Sequence, residues 1–188
     1  MIIKDLGLVP YEEMDALLES YIPKTKSDDF LLVCTHPPIY TVGSEEYACD
    51  LEVVQTDRGG SITYFDKGTL MLYFAFAVPN PPKFYAKVVQ AVQSFFLHFD
   101  AAIQYDKKRP GFYIENRKIA SLGFRYKKGA SKHGVALHIN PNLVEFNKIA
   151  PCGLPDVRAT SLWAEGYIIS MQEAKILATK AVIDAFEA

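Results

Sequence analysis

Along the chain, stretches whose apolar residues recur every three or four positions are separated by runs that are continuously apolar or apolar at every second position. The first spacing marks one face of an α-helix and the second a strand. Met14, Leu17, Leu18 and Tyr21 predict a helix opened by Pro10, whose missing N–H a first turn would leave unpaired anyway. Pro23 and the polar run 24–29 end it. Phe84, Val88, Ala91, Val92, Phe95 and Phe99 mark the longest helix, with Asn80 as cap and Pro81 in its first turn. Ala174, Leu177, Ala178, Ala181, Val182 and Ala185 mark the last, opened by the capping-box pattern from Ser170 to Glu173. A short helix is expected through Leu143, Phe146 and Ile149, with Pro141 as its first residue and Pro151 as its stop.

Strands are predicted over 1–9, 30–34, 39–42, 53–56, 61–64, 69–78 and 102–105, and then in a hairpin of 112–114 with the segment from Lys118 onward. A further strand spans 131–140. The run 69–78 is the most apolar, so it belongs at the centre of a sheet. After the hairpin turn, a period of two places Lys118, Ala120, Leu122 and Phe124 on one face. A lysine among such neighbours either snorkels to an edge or is held where its charge has a use. Hairpins interrupted by single helices predict one α/β (α+β) domain over 1–188, its mixed, largely antiparallel sheet flanked by helices. They argue against a doubly wound parallel sheet.

Composition adds exclusions. With 49% hydrophobic and 22% charged residues in 188, the chain has the balance of a soluble globular protein. No apolar run reaches membrane-spanning length, and the first residues are too polar for a signal peptide, so a cytoplasmic protein is expected. Three cysteines without metal-ligand spacing predict reduced thiols, not a disulfide framework or a zinc site. The net charge of −2 offers nucleic acid no general attraction. Yet residues 104–134 hold nine Lys/Arg against two acids, leaving the remainder with eleven basic and twenty acidic residues. Either a negatively charged partner docks on this segment, or it is a solvated hairpin turn.

Three features carry candidate chemistry. Cys152 lies between a proline and a glycine in expected loop, whereas Cys34 is inside an apolar strand and Cys49 in a polar loop with no partner. A nucleophilic thiol must ionise, and its usual pKa of ~8.5 falls beside a cation. Lys118, Lys148, Arg158 and the histidines are available for that role. Of His36, His98, His133 and His138, none has a metalloprotease or triad context, and His133 is the best placed to line a site. Arg58-Gly59-Gly60 is either a structural turn or a place where backbone approaches a ligand, and no P-loop is present.

The segments Pro10-Tyr11, 35–43 (THPPIYTVG), 57–64 (DRGGSITY), 117–123 (RKIASLG), 131–137 (SKHGVAL), 151–153 (PCG) and 160–162 (TSL) occur in an order that resembles the lipoyl(octanoyl) transferase family of lipoate biosynthesis. That family is related in fold to biotin and lipoate protein ligases. The resemblance implies that Cys152 carries an acyl thioester and that Lys118 lowers its pKa and shuttles protons. It implies an octanoyl pocket formed by Arg58, Gly59, Gly60, Ser61, Ile62, Thr63, Tyr64, Phe65, Ser121, Leu122, Gly123, Gly134, Val135 and Ala136, with His133 beside them. The implied donor is octanoyl-acyl carrier protein. The implied acceptors are lipoyl domains of 2-oxo acid dehydrogenases and the glycine cleavage H protein. No cofactor, metal, nucleic acid or membrane is implied, and a monomer is expected. Acyl carrier proteins are acidic, which would give the basic segment a purpose, and N–H groups near Cys152 and in the Gly59-Gly60 turn are candidates for the oxyanion site. One departure stands out: where the family continues after Tyr64 with a histidine and a Gly-Pro-Gly-Gln turn, this chain has Phe65-Asp66-Lys67-Gly68. An ATP-dependent ligase of the same fold and a non-catalytic carrier-binding relative are the alternatives.

Overall fold

In a computed structural model, residues 1–22, 27–45, 47, 50–149 and 157–187 are described. Cys49, Pro151, Cys152 and Gly153 lie outside them, so the sequence expectations for these residues are not addressed by the fold.

Strands β1 (Ile2–Leu8), β2 (Phe30–Thr35), β6 (Thr69–Ala75), β10 (Ala130–His138), β9 (Arg117–Lys127), β8 (Gly111–Ile114) and β7 (Gln104–Asp106) lie side by side in that order. β11 (Arg158–Ala159) joins the same sheet by pairing with β9. Pairing is parallel for β1–β2 and β11–β9 and antiparallel elsewhere, as the run of hairpins predicts. β6 is central and buried along its whole length. One difference from expectation concerns β3 (Ile39–Val42), β4 (Val54–Gln55) and β5 (Ile62–Phe65), which form a separate three-stranded sheet. Local pattern specifies strands, but partners are chosen by long-range packing.

The main sheet buries both faces, because alternate side chains of each strand point opposite ways. On one face Leu70, Leu72 and Phe74 of β6 meet α2 (Pro81–Phe96) and α4 (Met171–Glu187) through Phe84, Val88, Ala178 and Val182. Asn80 caps α2 by accepting from the Lys83 N–H at 3.0 Å. Ser170 and Glu173 form the predicted reciprocal box at the start of α4, at 3.0 and 3.2 Å. α2 ends at Phe96, which takes the buried position expected of Phe99. On the other face Met71, Tyr73 and Ala75 pack against α1 (Tyr11–Tyr21) and Phe65. The helices therefore lie on both sides of the sheet. α3 (Leu143–Phe146) starts two residues later than predicted, with Asn142, not Pro141, accepting from the N–H groups of Val144 and Glu145.

The long strand β9 does not keep a strict period of two. Tyr113 is opposite Lys118 and Phe112 is opposite Ala120, so Ile119 is an extra, bulged residue. This overturns the expectation that Lys118 shares a face with Ala120, Leu122 and Phe124. Those three side with the helix-covered core, whereas Lys118 emerges on the α1 side with Ser121 and Gly123.

Candidate active site

A cavity of about 50 Å³ opens between the α1 side of the main sheet, the small sheet and the Arg58–Gly60 turn. Its wall gathers Arg58, Gly59, Gly60, Ile62, Thr63, Phe65, Ser121, Leu122, Gly123, His133, Gly134, Ala136 and Lys118, which the sequence had singled out, together with Tyr11, Met71 and Tyr73. Ser61, Tyr64 and Val135 are outside it. Val135 joins the helix-side core, and Tyr64 turns away to rest between Tyr40 and Phe146 and donate to Asp66 at 3.2 Å. Of the three residues not singled out for the pocket, Tyr11 comes from the first turn of α1 and the other two from β6. Met71 and Tyr73 are alternate residues of β6 facing Ala136 and Gly134 across the ladder, and that pairing is invisible locally.

Lys118 and Arg58 are the cationic side chains of this mostly apolar wall. Lys118 is 1% exposed, and its ammonium donates to the Pro110 carbonyl at 3.3 Å and lies 5.6 Å from the Tyr113 ring centroid. Gly111 is pressed against it: a Cβ at Gly111 would lie 2.6 Å from Lys118 Cε and 3.2 Å from Nζ. β11 runs alongside, with Ala159 paired to Lys118 and the Thr160 N–H donating to the Lys118 carbonyl at 2.9 Å. The chain on the far side of Cys152 therefore returns next to this lysine.

His138 ties the same elements together. Its Nδ1 lies 3.0 Å from the Thr160 carbonyl and 3.2 Å from the Lys118 carbonyl, so Nδ1 carries the hydrogen. Nε2 is buried with no hydrogen-bond partner among the described residues. Burial above all, and secondarily the nearby Lys118 charge, bring its pKa down to about 4, so the ring is neutral near pH 7.

His133 reaches the cavity by a backbone irregularity. Neighbouring strand residues point to opposite faces, yet Lys132 and His133 both meet Asp57, at 3.2 and 2.6 Å. The left-handed conformation of His133, φ 67°, turns its side chain to the Lys132 side. Burial lowers the His133 pKa despite Asp57. Burial pushes Asp57 upward, but its bonds to His133 and Lys132 outweigh this and hold it below the usual carboxylate value. Asp15, Asp57 and His133 are close enough to share a metal ion. The Lys132 ammonium, 3.0 Å from Asp15 and 3.2 Å from Asp57, already supplies a cation to that cluster.

The Arg58-Gly59-Gly60 turn is bound tightly to its surroundings. Arg58 donates to the carbonyls of Thr41, Ser61 and Gly59 at 2.9, 2.7 and 3.1 Å. Gly59 donates to Phe124 at 3.3 Å, so its N–H is not a free oxyanion donor. A Cβ on Gly43 would collide with the Gly60 carbonyl at 2.1 Å. Next to the cavity, Asp66 replaces any glycine-rich turn by accepting from the N–H groups of Gly68 and Asn142, both at 2.8 Å, which anchors the approach to α3.

Cys34 is fully buried, and burial pushes its thiol up to about 12, which removes it as a nucleophile at neutral pH. Nor does the basic segment act as one positive patch. Arg109, Arg117, Arg125, Lys127 and Lys132 are paired with carboxylates and Lys118 is buried. Lys107, Lys108 and Lys128 remain without an ion pair among the described residues.

Comparison with known proteins places this geometry in context. The family model described as lipoyl protein ligase A/B catalytic domain matches residues 10–186. An octanoyltransferase of Nitratidesulfovibrio vulgaris is 35% identical, over 93% of this chain and 89% of that protein. One of Chromobacterium violaceum is also 35% identical, over 92% and 89%. Among solved structures, lipoate-protein ligase A bound with ATP superposes with a TM-score of 0.78 at 14% identity, covering 100% of this chain and 86% of that one. Biotin protein ligase from Aquifex aeolicus, in complex with biotin and ATP, gives 0.60 at 14% identity, over 99% and 70%. At such identities the likeness is one of fold. No helix among the described residues is long and apolar enough to cross a membrane.

Proposed function

The chain belongs to the lipoyl protein ligase A/B catalytic domain family, and on that premise we propose that it is an octanoyltransferase of lipoate biosynthesis working through Cys152 and Lys118. The carrying observation is a buried lysine ammonium in the wall of a largely apolar cavity, with the strand that follows Cys152 paired beside it. An ammonium held there favours the thiolate of an approaching cysteine, since the Coulomb term grows as water is excluded.

The reaction runs in two halves. The Cys152 thiolate attacks the carbonyl carbon of octanoyl-acyl carrier protein, the carbon–sulfur bond to the carrier breaks, and Lys118 protonates the departing carrier thiolate. A neutral lysine amine of a lipoyl domain then attacks the enzyme thioester. The amide bond forms, the bond to Cys152 breaks, and Lys118 accepts the surplus amine proton, which restores the starting pair. The donor is already activated, so no nucleotide is consumed. Each methylene buried in the cavity contributes about 0.8 kcal/mol. An engineered cavity of roughly 150 Å³ accommodates benzene, so an eight-carbon chain enters this one of about 50 Å³ only when lining side chains move apart.

Intact mass measurement after exposure to octanoyl-acyl carrier protein tests the proposal. One octanoyl mass, removable by hydroxylamine, is expected on the native protein and not on Cys152→Ser. A hydroxylamine-labile adduct on that variant overturns the cysteine assignment. Lys118→Ala is expected to fold and to acylate slowly, and a native rate overturns the role of the lysine. Transfer that requires ATP and free acid assigns the chain to the ligase chemistry instead.

A further inference from the structure

Beside the cavity runs a wider groove of about 430 Å³, lined by Tyr85, Lys108, Arg109, Pro110, Phe124 and Tyr126, with Glu45 on its Gly60 side. We propose that this groove binds the phosphopantetheine arm of the acyl donor, with Lys108 and Arg109 receiving its phosphodiester. The inference rests on the thioester acyltransferase reading above and assigns the part of the donor that the cavity does not hold.

Continuity is the first argument. Gly59, Gly60, Leu122 and Gly123 belong to both walls, so the two adjoin at β9 and the Arg58–Gly60 turn, the groove on the α2 side and the cavity on the α1 side. Pro110, whose carbonyl accepts from the Lys118 ammonium, also lines the groove. A thioester with its carbonyl at Lys118 has its leaving sulfur within reach of Pro110, where the groove begins.

The groove's chemistry matches such an arm, which alternates methylenes, a dimethyl centre and amides before its phosphate. Phe124 and Tyr126 lie with rings nearly parallel, 6.5 Å apart, and Tyr85 stands edge-on to Phe124 at 6.0 Å. These rings offer apolar contact, and the tyrosine hydroxyls offer hydrogen bonds to amides.

Charge is the independent argument. Most cations of the basic segment are neutralised by carboxylates, but Lys108 is exposed with no ion pair among the described residues. Arg109 next to it is already oriented: its Nε donates to Asp106 at 2.7 Å and its guanidinium lies 4.6 Å from the Tyr113 ring centroid. A pre-oriented guanidinium beside an unpaired ammonium suits a phosphodiester.

The test compares octanoyl-phosphopantetheine with octanoyl-pantetheine, which lacks the phosphate. On the native protein the phosphorylated donor is expected to have a KM about tenfold lower, the size of one charge-assisted contact. In Lys108→Ala/Arg109→Ala, and in the charge reversal Lys108→Glu, that ratio is expected to collapse toward one. An equal KM for both donors on the native protein, or a ratio unchanged in the variants, overturns the proposal. Calorimetric titration with unacylated phosphopantetheine and pantetheine gives the same comparison without chemistry. A native protein that binds phosphopantetheine through Lys108 but forms no adduct therefore retains the groove and refutes the acyltransferase reading alone. ATP that displaces phosphopantetheine with a lower Kd reassigns the groove to a nucleotide.

Discussion

The position of the Lys118 ammonium is set by a missing methyl group. Carbon–carbon contacts settle at about 3.5–4.0 Å, yet a Cβ at Gly111 would lie 2.6 Å from Lys118 Cε and 2.9 Å from the Ala120 carbonyl oxygen. The carbonyl belongs to a paired strand and yields little, so in Gly111→Ala the end of the lysine must move by about 1 Å. A 1 Å misplacement of a reacting group costs about 100-fold in rate, or roughly 2.7 kcal/mol in the barrier. Overpacking should also lower stability by about 1–3 kcal/mol. Single-turnover octanoylation, followed by intact mass beside a thermal melt, separates the two effects. We expect a folded variant whose acylation is slowed about 100-fold, approaching the Lys118→Ala rate. Acylation within about twofold of the native rate, with Lys118→Ala still slow, refutes the claim that Gly111 positions the ammonium. If both variants match the native protein, the lysine has no such role and the geometry is irrelevant to rate.

Two further predictions concern the neighbours of Lys118. Phe65 stacks on Tyr11 with ring centroids 6.3 Å apart and lines the cavity. Phe65→Ala is expected to shift preference toward longer acyl donors by about tenfold while costing about 3–5 kcal/mol of stability, and an unchanged profile across hexanoyl to dodecanoyl thioesters refutes it. The second is a pH effect of His138. Its folded pKa of about 4 lies below the unfolded value of 6.5, so the unfolded chain binds the proton first. Stability is full above pH 6.5 and declines by about 3 kcal/mol as pH falls to 4. Urea unfolding at pH 7, 5 and 4 should show a smaller decline in His138→Asn, and the same decline in both proteins removes the attribution.

Much of the candidate pocket's lining was legible because its residues sit in short, unusual local contexts. A lysine at the start of an apolar strand, paired glycines after an arginine, and a histidine before a glycine each violate the pattern around them. What escaped depends on cross-strand register. Met71 and Tyr73 belong to a strand that reads as uniform core, and only their positions opposite Ala136 and Gly134 bring them to the cavity. The basic segment depends on distant residues in the same way. Its charge count is correct, but acids from distant parts of the chain, Glu19, Asp57 and Glu165, neutralise much of it.

By itself, the order of apolar and polar residues determined the succession of strands and helices, the caps at Asn80 and Ser170, and the central place of β6. These rest on local dihedral preference and on burying a continuous apolar face, both of which act over a few residues. Only the tertiary structure decided which way Lys118 points. One bulged residue at Ile119 reverses the alternation of β9 and carries the ammonium from the helix-covered core to the cavity. Such a bulge arises where two strands of unequal count are forced into register, and neither strand alone contains that information.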